Sequence, residues 1–120
     1  MKTTMQTKMH SKEISQTDWQ AYFNKVTKSL ANRAASVEVT GFNVGDEILA
    51  EGIMLQGLSY DAKNHLMEVS SEKFHHLIHS PERIFVSYEG GNIDSVEIID
   101  SEETRHIIRF LHPLALGKKR

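Results

Sequence analysis

The sequence predicts an α+β domain: one N-terminal helix packed on a curled antiparallel sheet, or small open barrel, of about six strands. Three observations predict it. Apolar residues between positions 17 and 33 recur at three- and four-residue steps, which is one face of a helix. From Val37 onward the apolar residues mostly alternate with polar ones, the period of a strand with one wet face. The alternating runs are joined by short polar or glycine-bearing links, and short links imply antiparallel neighbours.

The helix is carried by "TDWQAYFNKVTKSLANR". Trp19, Tyr22, Phe23, Val26 and Leu30 make its apolar stripe, and Thr17 with Gln20 offers a capping box at its start. Asp18 suits the positive N-terminal end, and Lys25, Lys28 and Arg33 suit the negative C-terminal end. "ASVEVTGF" reads as the first strand, with Gly41 to Gly45 as a loop. "EILAEGIMLQGLSY" reads as one long strand, where Gly52 and Gly57 suggest bulges or bends. "DAKN" is a turn, "HLMEVSS" a strand, and "EKFHHLIHS" a short helix or crossover stopped by Pro81. "RIFVSYE" and "NIDSVEIID" flank Gly90-Gly91, a hairpin turn that demands positive φ. "SEE" turns the chain into "TRHIIRFL", the last strand, ended by Pro113.

A chain of 120 residues suggests one domain with its own core. We expect a disordered tail over 1–14, the domain over 15–114 and a basic tail over 115–120. There are no cysteines, which excludes disulfides, thiolate metal sites and thiol nucleophiles. The polar N-terminus lacks the apolar core of a secretory signal, and no apolar run is long enough to span a bilayer. The expected compartment is therefore the cytoplasm, without a membrane partner. Residues 37–112 carry fourteen Asp/Glu against five Lys/Arg, whereas both ends are basic. A phosphate backbone needs a positive footprint, so nucleic acid is not the expected partner.

Three of the seven histidines fall in "FHHLIHSPERI". On a helix, Phe74, Leu77 and Ile78 would share a buried stripe. Glu72, His75, His76 and His79 would share the opposite face. His75 and His79 would then stand one turn apart, the step that lets two imidazoles reach one ion, with Glu72 beside them. A solvated polar face explains the same pattern more simply. The segment also lacks the Glu that follows the first histidine in helical zinc-protease motifs, and nothing nominates a third ligand. No catalytic, cofactor-binding or metal residue is assigned; Glu72, His75 and His79 are the candidates a metal reading would use.

Other chemistry is scarcer. "GFNVG" lacks the Lys and Ser/Thr of a phosphate loop, and "GLSYD" lacks the closing glycine of a nucleophile elbow. Asp61 reads as a turn former. Glu97 and His106 are placed to pair across the last hairpin.

"W-x-x-Y-F" at Trp19 to Phe23, "VEVTG", "LQGLSYD", "HLIHSPERI" and "VEII", closed by Pro113-Leu114, resemble a group of small bacterial proteins known only as a domain of unknown function. The resemblance spans roughly residues 17–114 and implies no catalytic residue. More loosely, "EGIMLQGLSYDAKNHLMEV" is similar to the bent second strand, turn and third strand of Sm-like domains, including the bacterial RNA chaperone type. That likeness would imply a helix followed by a five-stranded barrel. The glycine-containing signature of the last Sm strands is absent, the chain has an additional hairpin, and no RNA-contact residue carries over.

These observations favour a non-enzymatic cytoplasmic interaction or assembly domain without a cofactor. Its partner would be a second copy of itself or another protein. The paired apolars Ile84-Phe85-Val86, Ile98-Ile99 and Ile107-Ile108 suggest strands covered on both faces. The alternatives are an Sm-like RNA-binding barrel, and a metal-dependent enzyme or sensor using Glu72, His75 and His79.

Overall fold

The computed structural model describes residues 9–116. Eight strands form one antiparallel sheet: β1 Met9–Ile14, β2 Arg33–Gly41, β3 Gly45–Asp61, β4 Leu66–Ser71, β5 His75–His79, β6 Pro81–Glu89, β7 Asn92–Asp100 and β8 Arg105–Leu114. A 3₁₀ turn, Gln16–Asp18, leads into the helix α1, Trp19–Leu30, between β1 and β2. The spatial order is β1-β6-β7-β8-β2-β3-β4-β5. The α+β class stands, with the sheet dominant and eight strands rather than six.

All six expected strands form. The two additional ones lie where the sequence suggested other states. β1 occupies part of the expected tail and pairs with β6 from Met9 opposite Glu89 to Ile14 opposite Ile84. The rest of that tail, residues 1–8, and residues 117–120 of the basic tail lie outside the described residues. β5 replaces the expected short helix. Its backbone pairs with β4, so Ile78 meets Met67 and both are buried. Pro81 opens β6 instead of stopping a helix, and β8 continues through Pro113 to Leu114.

The sheet is bent over on itself. β5 is one edge and β1 the other, yet Ser80 alone links β5 to β6, the neighbour of β1. The Ser101 amide donates to the Ser80 carbonyl, tying this corner to the β7–β8 turn. Among the described residues neither outer edge has a further strand neighbour, so the barrel does not close, and β1 comes before the helix. The helix-then-five-strands plan of Sm-like barrels is not reproduced.

The concave side holds the core. Val86, Val96, Ile108 and Val37 form one row across β6, β7, β8 and β2. Helix α1 fills the bend with Trp19, Phe23, Val26 and Leu30. Trp19 donates its indole N–H to the Ile14 carbonyl at 2.8 Å and meets Tyr60 edge-on. This is the apolar stripe the sequence predicted, with Tyr22 at its margin bonded to the Tyr88 hydroxyl at 2.7 Å. The capping box does not form: Asp18 is the N-cap and makes no side-chain cap bond.

The convex side explains the paired apolar residues. Ile84, Val86, Ile98 and Ile108 face the core, while Phe85, Ile99 and Ile107 lie half-buried on the outer face. Three ion pairs lie among them: Arg83–Glu13, Arg105–Glu97 and Arg109–Glu38. The Arg83 guanidinium lies 4.9 Å from the Phe85 ring centroid. The stems of long charged side chains cover apolar surface while their heads stay wet. These ion-paired side chains lie over the half-buried apolar residues of this face.

Candidate functional site: a histidine clasp and an exposed arm

Histidines 75, 76 and 79 alternate along β5, because successive strand residues point to opposite faces. His75 and His79 are exposed, and His76 turns inward. Two residues four apart on a strand lie about 13 Å apart, too far to share one ion. Glu72 is exposed in the turn before β5, and His75 instead pairs with Glu68 on β4. The arrangement that motivated a metal reading of Glu72, His75 and His79 depended on a helix that is not there. Among the described residues, no group of three His, Asp or Glu side chains could hold a metal ion.

What the strand does instead is present His76 to His106. The strand β8 alternates His106, Ile108 and Phe110 inward, and His106 is only 6 % exposed. His106 Nδ1 lies 2.9 Å from His76 Nε2, and His106 Nε2 lies 2.9 Å from Asp100 Oδ2. Asp100 Oδ1 accepts the amides of Glu102 and Thr104, so the β7–β8 turn holds the carboxylate in place. Burial pushes the Asp100 carboxyl up, but the hydrogen bond from His106 and the Thr104 and Glu102 amides outweigh it and hold it below the usual range. An ionised carboxylate only accepts, so His106 must donate from Nε2. In neutral His106 this leaves Nδ1 to accept, and His76 donates from Nε2. Burial first, then the neighbouring His106, lowers the His76 imidazole to about 4.

The result is a chain of three side chains running from the β7–β8 turn, through the inner face, to the free edge strand. It clasps β5 to β8 across the bend. The expected Glu97–His106 pair is absent: Glu97 stands opposite Ile107, on the outer face, and pairs with Arg105. Asp61 is the turn former the sequence implied. Its Oδ1 accepts the Lys63 and Asn64 amides.

The second feature is the β2–β3 hairpin. β4 pairs with β3 only from Leu55 onward, so among the described residues the first half of β3 has β2 as its one strand neighbour. This half and its turn form an arm. Phe42 is fully exposed, Ile48 is 62 % exposed, and Val44 and Leu49 are exposed as well. No Lys or Arg occurs between Arg33 and Lys63, whereas Glu38, Asp46, Glu47 and Glu51 do. Beside the turn of this hairpin is a groove of about 720 Å³. Phe42 and Gly41 wall one side, Ile99 contributes apolar surface, and Glu82, Glu102 and Glu103 add carboxylates. Its two cations, Arg83 and Arg105, are engaged by Glu13 and Glu97.

Comparison with known proteins agrees with the resemblance read from the motifs. A family model described as "Family of unknown function (DUF5335)" matches residues 10–119. The match begins within β1, the strand the sequence reading left in a tail. An uncharacterised protein of Aquifex aeolicus (strain VF5) is 37 % identical over 103 residues, which is 85 % of this chain and 93 % of that relative. No solved structure matches the chain.

Proposed function

This chain belongs to the DUF5335 family of unknown function, and from its geometry we propose that it is a non-enzymatic protein-interaction domain acting in the cytoplasm. The observation that carries the reading is the β2–β3 arm. Large apolar side chains exposed together on a small protein mark contact surfaces, whereas scattered ones need no explanation. Phe42, Val44, Ile48 and Leu49 lie within eight residues of one hairpin. The outer face of β6–β8 gives the contrast, because its half-buried apolars lie beneath ion pairs and call for no partner. In the clasp, His106 bonds to the His76 imidazole on one side and to the Asp100 carboxylate on the other. That role is structural.

The test is a photo-crosslinking residue placed at Phe42, in cells that normally make the protein. A second variant carries it at Gln20, exposed on α1. Adducts of defined mass at position 42, absent at position 20, are the expected outcome. Equal or absent adducts at the two positions would refute the interaction reading.

A further inference from the structure

We propose that the groove beside the β2–β3 turn receives a basic, apolar-anchored segment of another protein, held through its side chains. This rests on the interaction reading and names the partner's chemistry. The first argument is charge. Arg83 and Arg105 are neutralised by their own carboxylates, while Glu82, Glu102 and Glu103 border the same groove with no cation partner among the described residues. The first residues of β3 add Asp46, opposite Thr40, and Glu47, and no cation. The nearest cation of β8 beyond the groove, Arg109, is committed to Glu38 at 3.7 Å. A lysine or arginine entering here meets uncompensated carboxylates and the face of Phe42, a setting that attracts cations.

The second argument is shape. Phe42 is fully exposed beside half-buried Ile99. Burying an aromatic ring against a groove is the commonest source of a binding hot spot, and an apolar residue flanked by cations satisfies both features together.

The third argument separates this occupant from two others. A second copy docking through its own arm would bring acidic residues against an acidic groove, and like charges suppress such pairing. A partner adding a strand to the free edge of β3 would need a regular ladder. That edge is interrupted twice: Leu49 is an additional residue between two paired positions, and Glu51 and Gly52 together oppose Ser36 alone. Bulges and edge charges are devices that keep strands from adding. The remaining mode is docking by side chains.

The probe is an eight-residue synthetic peptide with two leucines flanked by arginines, blocked at both ends. It is titrated into the isotopically labelled full chain and followed by amide chemical shifts. Shifts are expected at residues 41–43 and 102–104, weakening as ionic strength rises. The paired charge reversal Glu102→Lys with Glu103→Lys should weaken the dissociation constant by about tenfold, since exposed ion pairs each contribute modestly. Phe42→Ser should weaken it as well. Both changes lie at exposed side chains, so the fold survives them. The same peptide with glutamates in place of arginines should cause no shifts.

Equal binding of the acidic peptide, no binding of the basic one, or shifts confined to the β1 or β5 edge would each overturn the proposal. So would a dimer seen by light scattering whose dissociation moves the same amides, which would make a second copy the occupant. Adducts at Phe42 in cells without groove shifts would retain the interaction reading and reject this occupant. Groove shifts without adducts would show that the groove takes a basic peptide in vitro but meets no protein in cells, which overturns the interaction reading and this proposal with it.

Discussion

The two halves of β3 are one continuous strand with opposite surroundings. Residues 45–55 pair with β2 and leave their other side open; residues 55–61 pair with β4. In the second half the side away from β4 is closed by the helix. Thr27 of α1 donates its hydroxyl to the Leu58 carbonyl at 2.8 Å and accepts the Leu58 amide at 3.0 Å. One side chain thus replaces a missing strand neighbour. Leu55, Leu58 and Tyr60 are buried there, while residues 45–49 are all exposed. The difference teaches that strand length alone does not mark the core. Helix α1 closes one half of the strand into the core, and the other half remains an exposed edge beside β2.

The largest effect that could break this comparison comes from truncating one residue in each half. Leu58 is fully buried, so Leu58→Ala should cost about 3 kcal/mol, the transfer term plus a cavity. Ile48→Ala should change stability by less than about 0.5 kcal/mol, as exposed substitutions usually do. Urea unfolding of both variants checks this. A large loss in Ile48→Ala would show that the arm is packed in solution and no longer contrasts with the body.

The six strands legible in the sequence are those whose own side chains alternate. The two missed strands are edges, and each owes its state to a neighbour. β1, "MHSKEI", shows no apolar alternation and becomes a strand by pairing with β6. The segment that forms β5 carries apolar residues at 77 and 78, with Phe74 just before it, the spacing of a helical face. Pairing with β4 overrode that spacing and left Leu77 45 % exposed. The clasp was half legible. The inward alternation of His106, Ile108 and Phe110 can be read in "RHIIRF", but pairing His106 with Glu97 slips the register by one residue. Such a slip moves a side chain to the opposite face. The contact with His76 could not be read locally, since it joins residues 30 apart across the bend. The bare arm is legible in retrospect as a stretch without cations that keeps its apolar residues.

The clasp offers the next effect, and it belongs to the body. The His76 imidazole titrates at about 4 when folded, against an ordinary value of 6.5. A lowered histidine value means the unfolded chain takes up a proton that the folded chain resists. Its contribution is therefore complete above pH 6.5 and is lost as the pH falls from 6.5 to about 4. The ring is only half-buried, so the loss should be about 1–2 kcal/mol after discounting for solvent screening. Asp100, held low, adds a loss in the same direction at more acidic pH. Urea unfolding at pH 7 and pH 4.5 measures the difference, and His76→Gln should flatten it in that window. An unchanged pH slope in His76→Gln would show that the clasp does not control the acid response. Arm amides should keep the same protection factors, corrected for intrinsic exchange, at both pH values, because the clasp fastens β5 to β8 and leaves the arm alone.

The smallest effect probes the joint between the two halves. Gly52 sits at the bulge opposite Ser36 with φ of +67°, and a Cβ added there would meet nothing within 4 Å. Gly52→Ala therefore isolates backbone strain from crowding. Non-glycine residues pay for positive φ by about 1 kcal/mol, so a comparable loss of stability is expected. The informative reading is where the loss falls. If the bulge only sets the arm's direction, amide exchange should quicken over residues 46–52 and stay unchanged over 55–61. If exchange quickens equally in both, strain at the joint reaches the core. The strand would then be one mechanical unit, and the helix would not be the divider that its contact at Leu58 suggests.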